Sequence, residues 1–137
     1  MDNTYIDSMR AHLAQLESEL NGLSAIVQTR SLGQYEYRAA ERSLQITIEA
    51  CIGVAKHWCK ELDQVAPTSA YQAFERLAEH KMIESNKTQW KQIIGMRNAL
   101  VHDYLNIDHK VIEYLLSSEQ HHSLFSFARL GLTALAE

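Results

Sequence analysis

From Tyr37 to Leu62 apolar residues return at helical spacing, through Ala40, Leu44, Ile48, Cys51, Ile52, Ala55, Trp58 and Cys59, with no proline in the run. That period belongs to one face of an α-helix, and a stripe this long must lie along other helices to be hidden from water. A second long stripe precedes it: Leu13, Leu16, Leu20, Leu23 and Val27 predict a helix from about Ile6 to Val27, with Gly22 as a tolerated weak point. Thr29 to Gln34, around Gly33, reads as the turn between the two helices. Gly53 lies inside the second helix, where a missing side chain lets another helix come close.

The rest of the chain divides into shorter pieces. Pro67-Thr68-Ser69 ends the long helix, and Tyr71, Phe74, Leu77 and Ala78 predict a short one. Ser85 or Asn86 can cap the helix that follows. Asp108 reads as the N-cap of the next, with Ile107 and Ile112 as its hydrophobic staple. Phe125, Ala128, Leu132 and Leu135 mark a last helix over Leu124 to Leu135. Alternation at period two is found hardly anywhere. The expectation is an all-α bundle built on a long antiparallel helix pair with shorter helices packed across it. It forms a single domain over residues 1–137. The apolar stripes exceed what one small core needs, which also suggests a homodimer.

Composition narrows the function classes. No apolar run is long enough to span a membrane, and the start MDNTYIDSM has neither the basic nor the apolar part of a signal peptide, so a cytoplasmic protein is expected. The formal net charge of −4 excludes a general nucleic-acid binder with a basic surface. The charge is uneven, however. Lys87, Lys91, Arg97 and Lys110 outnumber Asp103 and Asp108 between Asn86 and Lys110, with His102 and His109 in addition. Cys51 and Cys59 lie about 12 Å apart along one helix, too far for a disulfide, and read as buried thiols. A zinc site from Cys59, His57 and a distant histidine lacks the tight grouping such sites need, so no metal is expected. His121-His122 reads as a turn, not a metal tract.

The unusual stretch is Arg97-Asn98-Ala99-Leu100-Val101-His102-Asp103-Tyr104. Arg97 stands where the stripe Trp90, Ile93, Ile94, Leu100, Val101 should have its next hydrophobe. Arginine does not escape burial by losing its proton, so it needs an internal carboxylate, a wet groove or an interface with an anion. On an ideal helix Arg97 and Tyr104 share a face within about 20°, and Asn98 and His102 share a neighbouring one with Gly95. Arg97 and His102 differ by about 140° and do not converge through periodicity alone. Either the arginine curls round, the helix loosens, or a second copy of the helix completes the pocket across a two-fold axis.

Such a set has a chemistry. Arginine offers a rigid fork of donors to phosphate oxygens and steadies charge developing at phosphorus. Histidine moves a proton near neutrality, and asparagine holds its tautomer or a nonbridging oxygen. Together they suffice for metal-independent RNA cleavage by the neighbouring 2′-hydroxyl, and no carboxylate pair stands nearby to hold magnesium. Plainer readings compete on the residues alone. Arg97 pairs with Glu41, Glu49 or another internal carboxylate; His102 meets the helix dipole at a C-terminus; Trp58 and Trp90 are core; Glu41-Arg42 is a solvated face.

Arg97, four residues, His102, one residue and Tyr104 form a pattern that resembles the HepT-like branch of the HEPN superfamily. Glu41-Arg42-Ser43-Leu44-Gln45-Ile46 with Ile48-Glu49-Ala50, and Pro67 to Tyr71 with Phe74 and Leu77, are similar to two further family segments. Met96 stands where members often have phenylalanine, and Gly53 where they often have aspartate. The aspartate's loss would remove a polar group near the groove. The resemblance implies a helical homodimer in which the Arg/His motifs face one another across a cleft. It implies a metal-independent endoribonuclease, the toxin of a type VII toxin–antitoxin module. Arg97 and His102 would be the active-site residues and Asn98 a supporting one. It also implies a partner, an MntA-like nucleotidyltransferase antitoxin that uses ATP to place AMP groups on Tyr104, while the chain itself needs no cofactor. The substrate class would be RNA, tRNA or mRNA. The alternative is a non-catalytic subunit that presents nucleotide or substrate to a nucleotidyltransferase, with Arg97 only gripping phosphate.

Overall fold

The computed structural model describes residues 2–84, 89–102 and 106–137. Among these the secondary structure is wholly helical: α1 (Asn3–Val27), α2 (Gln34–Asp63), α3 (Ala70–Glu79), α4 (Trp90–His102), α5 (His109–Ser117) and α6 (His122–Ala136). No described helix is long and apolar enough to cross a membrane. The suggested caps Ser85 and Asn86, and with them Lys87, Asp103 and Tyr104, lie outside the described residues.

Local chemistry sets each boundary. The Asp2 carboxylate accepts the Thr4 N–H at 2.8 Å and opens α1 three residues before the expected start. Glu36 opens α2: one carboxylate oxygen takes the Gly33 N–H at 2.8 Å, and Arg30 grips both oxygens at 2.7 and 2.8 Å. The bidentate arginine and the backbone donor together hold the Glu36 carboxyl down to about 2. Gln64, in the left-handed region at φ 61°, stops the helix. Ser69 caps α3 through the Gln72 N–H. Asp108 caps α5 as expected, with Ile112 buried beneath it and Ile107 packed on the core.

α2 is the axis of the bundle, with α1, α3, α4 and α6 packed around it and α5 lying mainly on α1. Leu20, Leu44, Ile48, Leu77, Phe125 and Leu132 are sealed in the core. Cys51 and Cys59 are buried free thiols, donating to the carbonyls of Leu124 and Ala73. Arg76 and His80 of the α3 end both reach Asp63 at the end of α2, at 2.6 Å each. The Arg76 hydrogen bond first, and the His80 hydrogen bond after it, lower the Asp63 carboxyl against the opposing effect of burial.

The expectation about Gly53 needs correction, and that about His121 needs refinement. The close helix approach is not at Gly53, whose added Cβ would meet only the Tyr5 hydroxyl at 3.9 Å, an ordinary contact with α1. It is at Gly131 of α6, where a Cβ would fall 2.4 Å from Val54 Cγ1 and 3.3 Å from Trp58. His121 does lie in a turn, as expected, but a buried one, and His122 is already the first residue of α6, two residues before Leu124. The His121 Nε2 lies 2.9 Å from Asn21 Oδ1 of α1.

Candidate active site

α4 carries the motif on a helix anchored at one end. Trp90 stacks on Phe74 of α3, with centroids 4.0 Å apart, and meets Phe127 of α6 edge-on at 4.8 Å. Trp90, Ile94 and Leu100 are the buried residues of α4. Arg97 lies within about 20° of Trp90 on the helical wheel, so it does occupy a position on the core-facing arc. Its side chain is half-buried.

The internal ion pair weighed for Arg97 is not formed: among the described residues no carboxylate lies within ion-pair distance of it. Glu49 instead accepts from Gln45 of its own helix. The arginine curls toward its neighbour, and its Nε donates to Asn98 Oδ1 at 3.0 Å. This covers part of the 140° gap to the His102 face and leaves both terminal nitrogens of the fork for an outside acceptor. Asn98 and His102 are exposed, one helical turn apart, and His102 closes the last turn of α4. Arg97 is thus brought to Asn98, while among the described residues no hydrogen bond or ion pair joins His102 to either.

The site is an exposed strip, not a pocket. Hollows of 490, 520 and 220 Å³ border α4, and none has Arg97, Asn98 or His102 in its wall. The 520 Å³ groove runs along the opposite side of the helix, where Ile93 and Met96 face Leu115 and Leu124 over Ile48. Met96 therefore faces apolar surface, consistent with an exchange for phenylalanine. A Cβ at Gly53 would meet the Tyr5 hydroxyl of α1 at 3.9 Å.

One polar cluster escaped the sequence reading. Tyr37 of α2 is buried and its ring stacks on His109 of α5, with centroids 3.5 Å apart and planes at 22°. Burial, then the nearby Glu41, Asp108 and Glu113, push the Tyr37 hydroxyl up to about 12. Glu41 is half-buried rather than fully solvated; burial raises its carboxyl, against the pull of His109 and Arg38. Nothing in the spacing of positions 37 and 109 announces this contact, which joins distant parts of the chain. Among the described residues, no group of three or more His, Cys, Asp or Glu side chains is placed to hold a metal ion.

An arginine that meets no carboxylate among the described residues and an exposed histidine thus share one short helix of an all-α bundle. The chain belongs to the HepT-like ribonuclease family: the family model described as ribonuclease HepT-like matches residues 9–129. The mRNA nuclease HepT of Shewanella oneidensis is 31% identical over 81 residues, which make up 58% of this chain. The chain spans about 59% of the length of that curated relative. A solved structure, described as the crystal structure of the toxin–antitoxin with AMP-PNP, matches with a TM-score of 0.75 over 96% of this chain and 99% of that one, at 22% identity. At that identity the likeness speaks for the fold, an all-α bundle of the HEPN type.

Proposed function

We propose that this chain is the endoribonuclease toxin of a toxin–antitoxin module, cutting RNA without a metal at a cleft shared by two copies of α4. The observation that carries the reading is the state of Arg97: a half-buried guanidinium on the core-facing arc with no carboxylate among the described residues, turned toward Asn98 with its fork unspent. Family membership and the name of the Shewanella relative support the activity. In the proposed reaction a 2′-hydroxyl gives its proton to His102 and attacks the adjacent phosphorus. Arg97 bonds the phosphorane oxygens and Asn98 orients Arg97; the P–O5′ bond then breaks, the 5′-oxygen takes a proton from water, and a 2′,3′-cyclic phosphate remains. Because Arg97 and His102 diverge on one helix, the arginine of one copy and the histidine of the other serve the same phosphate.

The same reading includes control by a partner. AMP groups placed on Tyr104 by a nucleotidyltransferase antitoxin, at the expense of ATP, would fill the anion site with phosphate and adenine and exclude RNA by charge and volume. The toxin–antitoxin description of the matched structure supports a partner of this kind. RNA as substrate and two free thiols suit the cytoplasm.

The test is cleavage of total RNA and tRNA, in EDTA, by protein whose intact mass shows no AMP increment, beside Arg97→Ala and His102→Ala. Cleavage by the parent dimer and by neither variant is expected. Cleavage by His102→Ala would sink the mechanism, and loss of the parent's activity in EDTA would sink its metal independence. A folded, unmodified dimer that cuts nothing would favour a non-catalytic partner of a nucleotidyltransferase.

A further inference from the structure

α4 presents more than the motif. Its thirteen residues include Lys91, Arg97 and His102 and no aspartate or glutamate, in a chain whose formal net charge is −4. Lys91, Gly95, Asn98 and His102 fall within about 60° of one another around the helix. All four are exposed. They form a line that begins at Lys91 and ends at His102, about 16 Å long at the rise of an α-helix. Among the described residues no carboxylate lies within ion-pair distance of the Lys91 ammonium. Between the two ends, a Cβ added at Gly95 would meet nothing within 4 Å. The missing side chain is not required by packing, and it leaves the middle of the line low.

We propose that this line is an extended phosphate track: single-stranded RNA lies along α4, over Gly95, and Lys91 engages a backbone phosphate beyond the one being cut. The inference rests on the ribonuclease reading and deepens it by naming a second subsite. The length of the line exceeds the spacing of neighbouring phosphates, so Lys91 and His102 do not serve the same one. The track ends at Lys91, which shares the wall of a hollow with Glu75 and Glu84, carboxylates that repel a further phosphate. Lys91 is then a binding residue and not a catalytic one. It adds affinity for long substrates and leaves the chemical step unchanged.

Two substrates separate these roles: a dinucleotide with a single phosphodiester, and a longer single-stranded oligoribonucleotide. For Lys91→Glu, KM on the oligonucleotide rises by about tenfold with kcat unchanged, as expected for a lost charge-assisted phosphate contact. Cleavage of the dinucleotide stays at the parent rate. Lys91→Ala gives a smaller rise in KM. Binding of an uncleavable 2′-O-methyl oligonucleotide, read by fluorescence anisotropy, weakens in parallel, and its log–log salt slope falls by about 0.7, one phosphate's share for a single strand. An unchanged KM and salt slope in Lys91→Glu would overturn the track, as would an equal loss on the dinucleotide. A parent that binds the uncleavable RNA through Lys91 but cuts no RNA would overturn the ribonuclease reading and leave the track standing; a parent that does not bind it would overturn the track.

Discussion

α4 and α6 both lean on α2, and each carries one glycine near its middle. Gly131 of α6 is there because Val54 and Trp58 occupy the space a side chain would need. Gly95 of α4 has open space above it. A glycine inside a helix costs roughly 0.5–1 kcal/mol relative to alanine. At Gly131 the seam between α6 and α2 repays that cost within the protomer. At Gly95 no such contact with the described residues exists. On the proposed reading, the seam between α2 and α6 serves folding and the outer line of α4 serves binding.

If that division holds, substitutions on the two helices give opposite patterns. The largest effects are those of Arg97→Ala and His102→Ala: RNA cleavage falls by about a hundredfold or more, the usual worth of an acid–base or oxyanion group. Unfolding free energy in urea moves by no more than about 1 kcal/mol. A loss of stability in step with activity would show that these residues belong to the core after all. Gly131→Ala does the reverse. It forces a methyl against the stiff Val54 side chain and costs about 1–3 kcal/mol in the same urea titration, with cleavage per folded molecule unchanged. A neutral Gly131→Ala would mean that the seam relaxes at no cost.

A third expected effect depends on pH and centres on the entry to α6. His121 is fully buried; burial first, then the neighbouring His122, lower its pKa, against the opposite pull of Glu119 and Glu17. The folded state thus disfavours the imidazolium. Stability from this group is complete above the unfolded value near 6.5 and is lost as pH falls below it, since the unfolded chain takes the proton first. His57, also lowered by burial, adds in the same direction. Urea midpoints measured between pH 7.5 and 5 therefore decline for the parent and decline less for His121→Asn. Equal slopes would remove His121 as the cause. The smallest effect is at Gly95: Gly95→Ala raises unfolding free energy by about 0.5–1 kcal/mol while weakening oligonucleotide binding. A gain in stability with no change in binding would mean that the open space above Gly95 has no use.

What the sequence disclosed, and what it hid, follows from the range of the interactions. The stripe of α2, the Asp108 cap with its Ile107 and Ile112 staple, and the oddity of Arg97 were all legible, because each is written in residues a few positions apart. Gly131 against Val54, His121 against Asn21 and Tyr37 against His109 were not, since each joins helices that are remote in sequence. The ion pair weighed for Arg97 with Glu41 or Glu49 failed for the same reason. Periodicity says that a charge faces inward, but not which helix it faces, and Asn98 beside it took the hydrogen bond instead.

The aromatic cluster at the root of α4 has a consequence for measurement. The chain has two tryptophans, Trp58 and Trp90, and both rings lie against Phe127, at 6.2 and 4.8 Å. Intrinsic fluorescence therefore reports on one spot, where α2, α3, α4 and α6 meet. Its emission shifts when α4 comes away from the bundle, and Trp90, next to Lys91, lies at the scaffold end of the strip while His102 closes the other end about 18 Å away. The protein thus carries a built-in optical gauge of the scaffold end of α4, with no label attached.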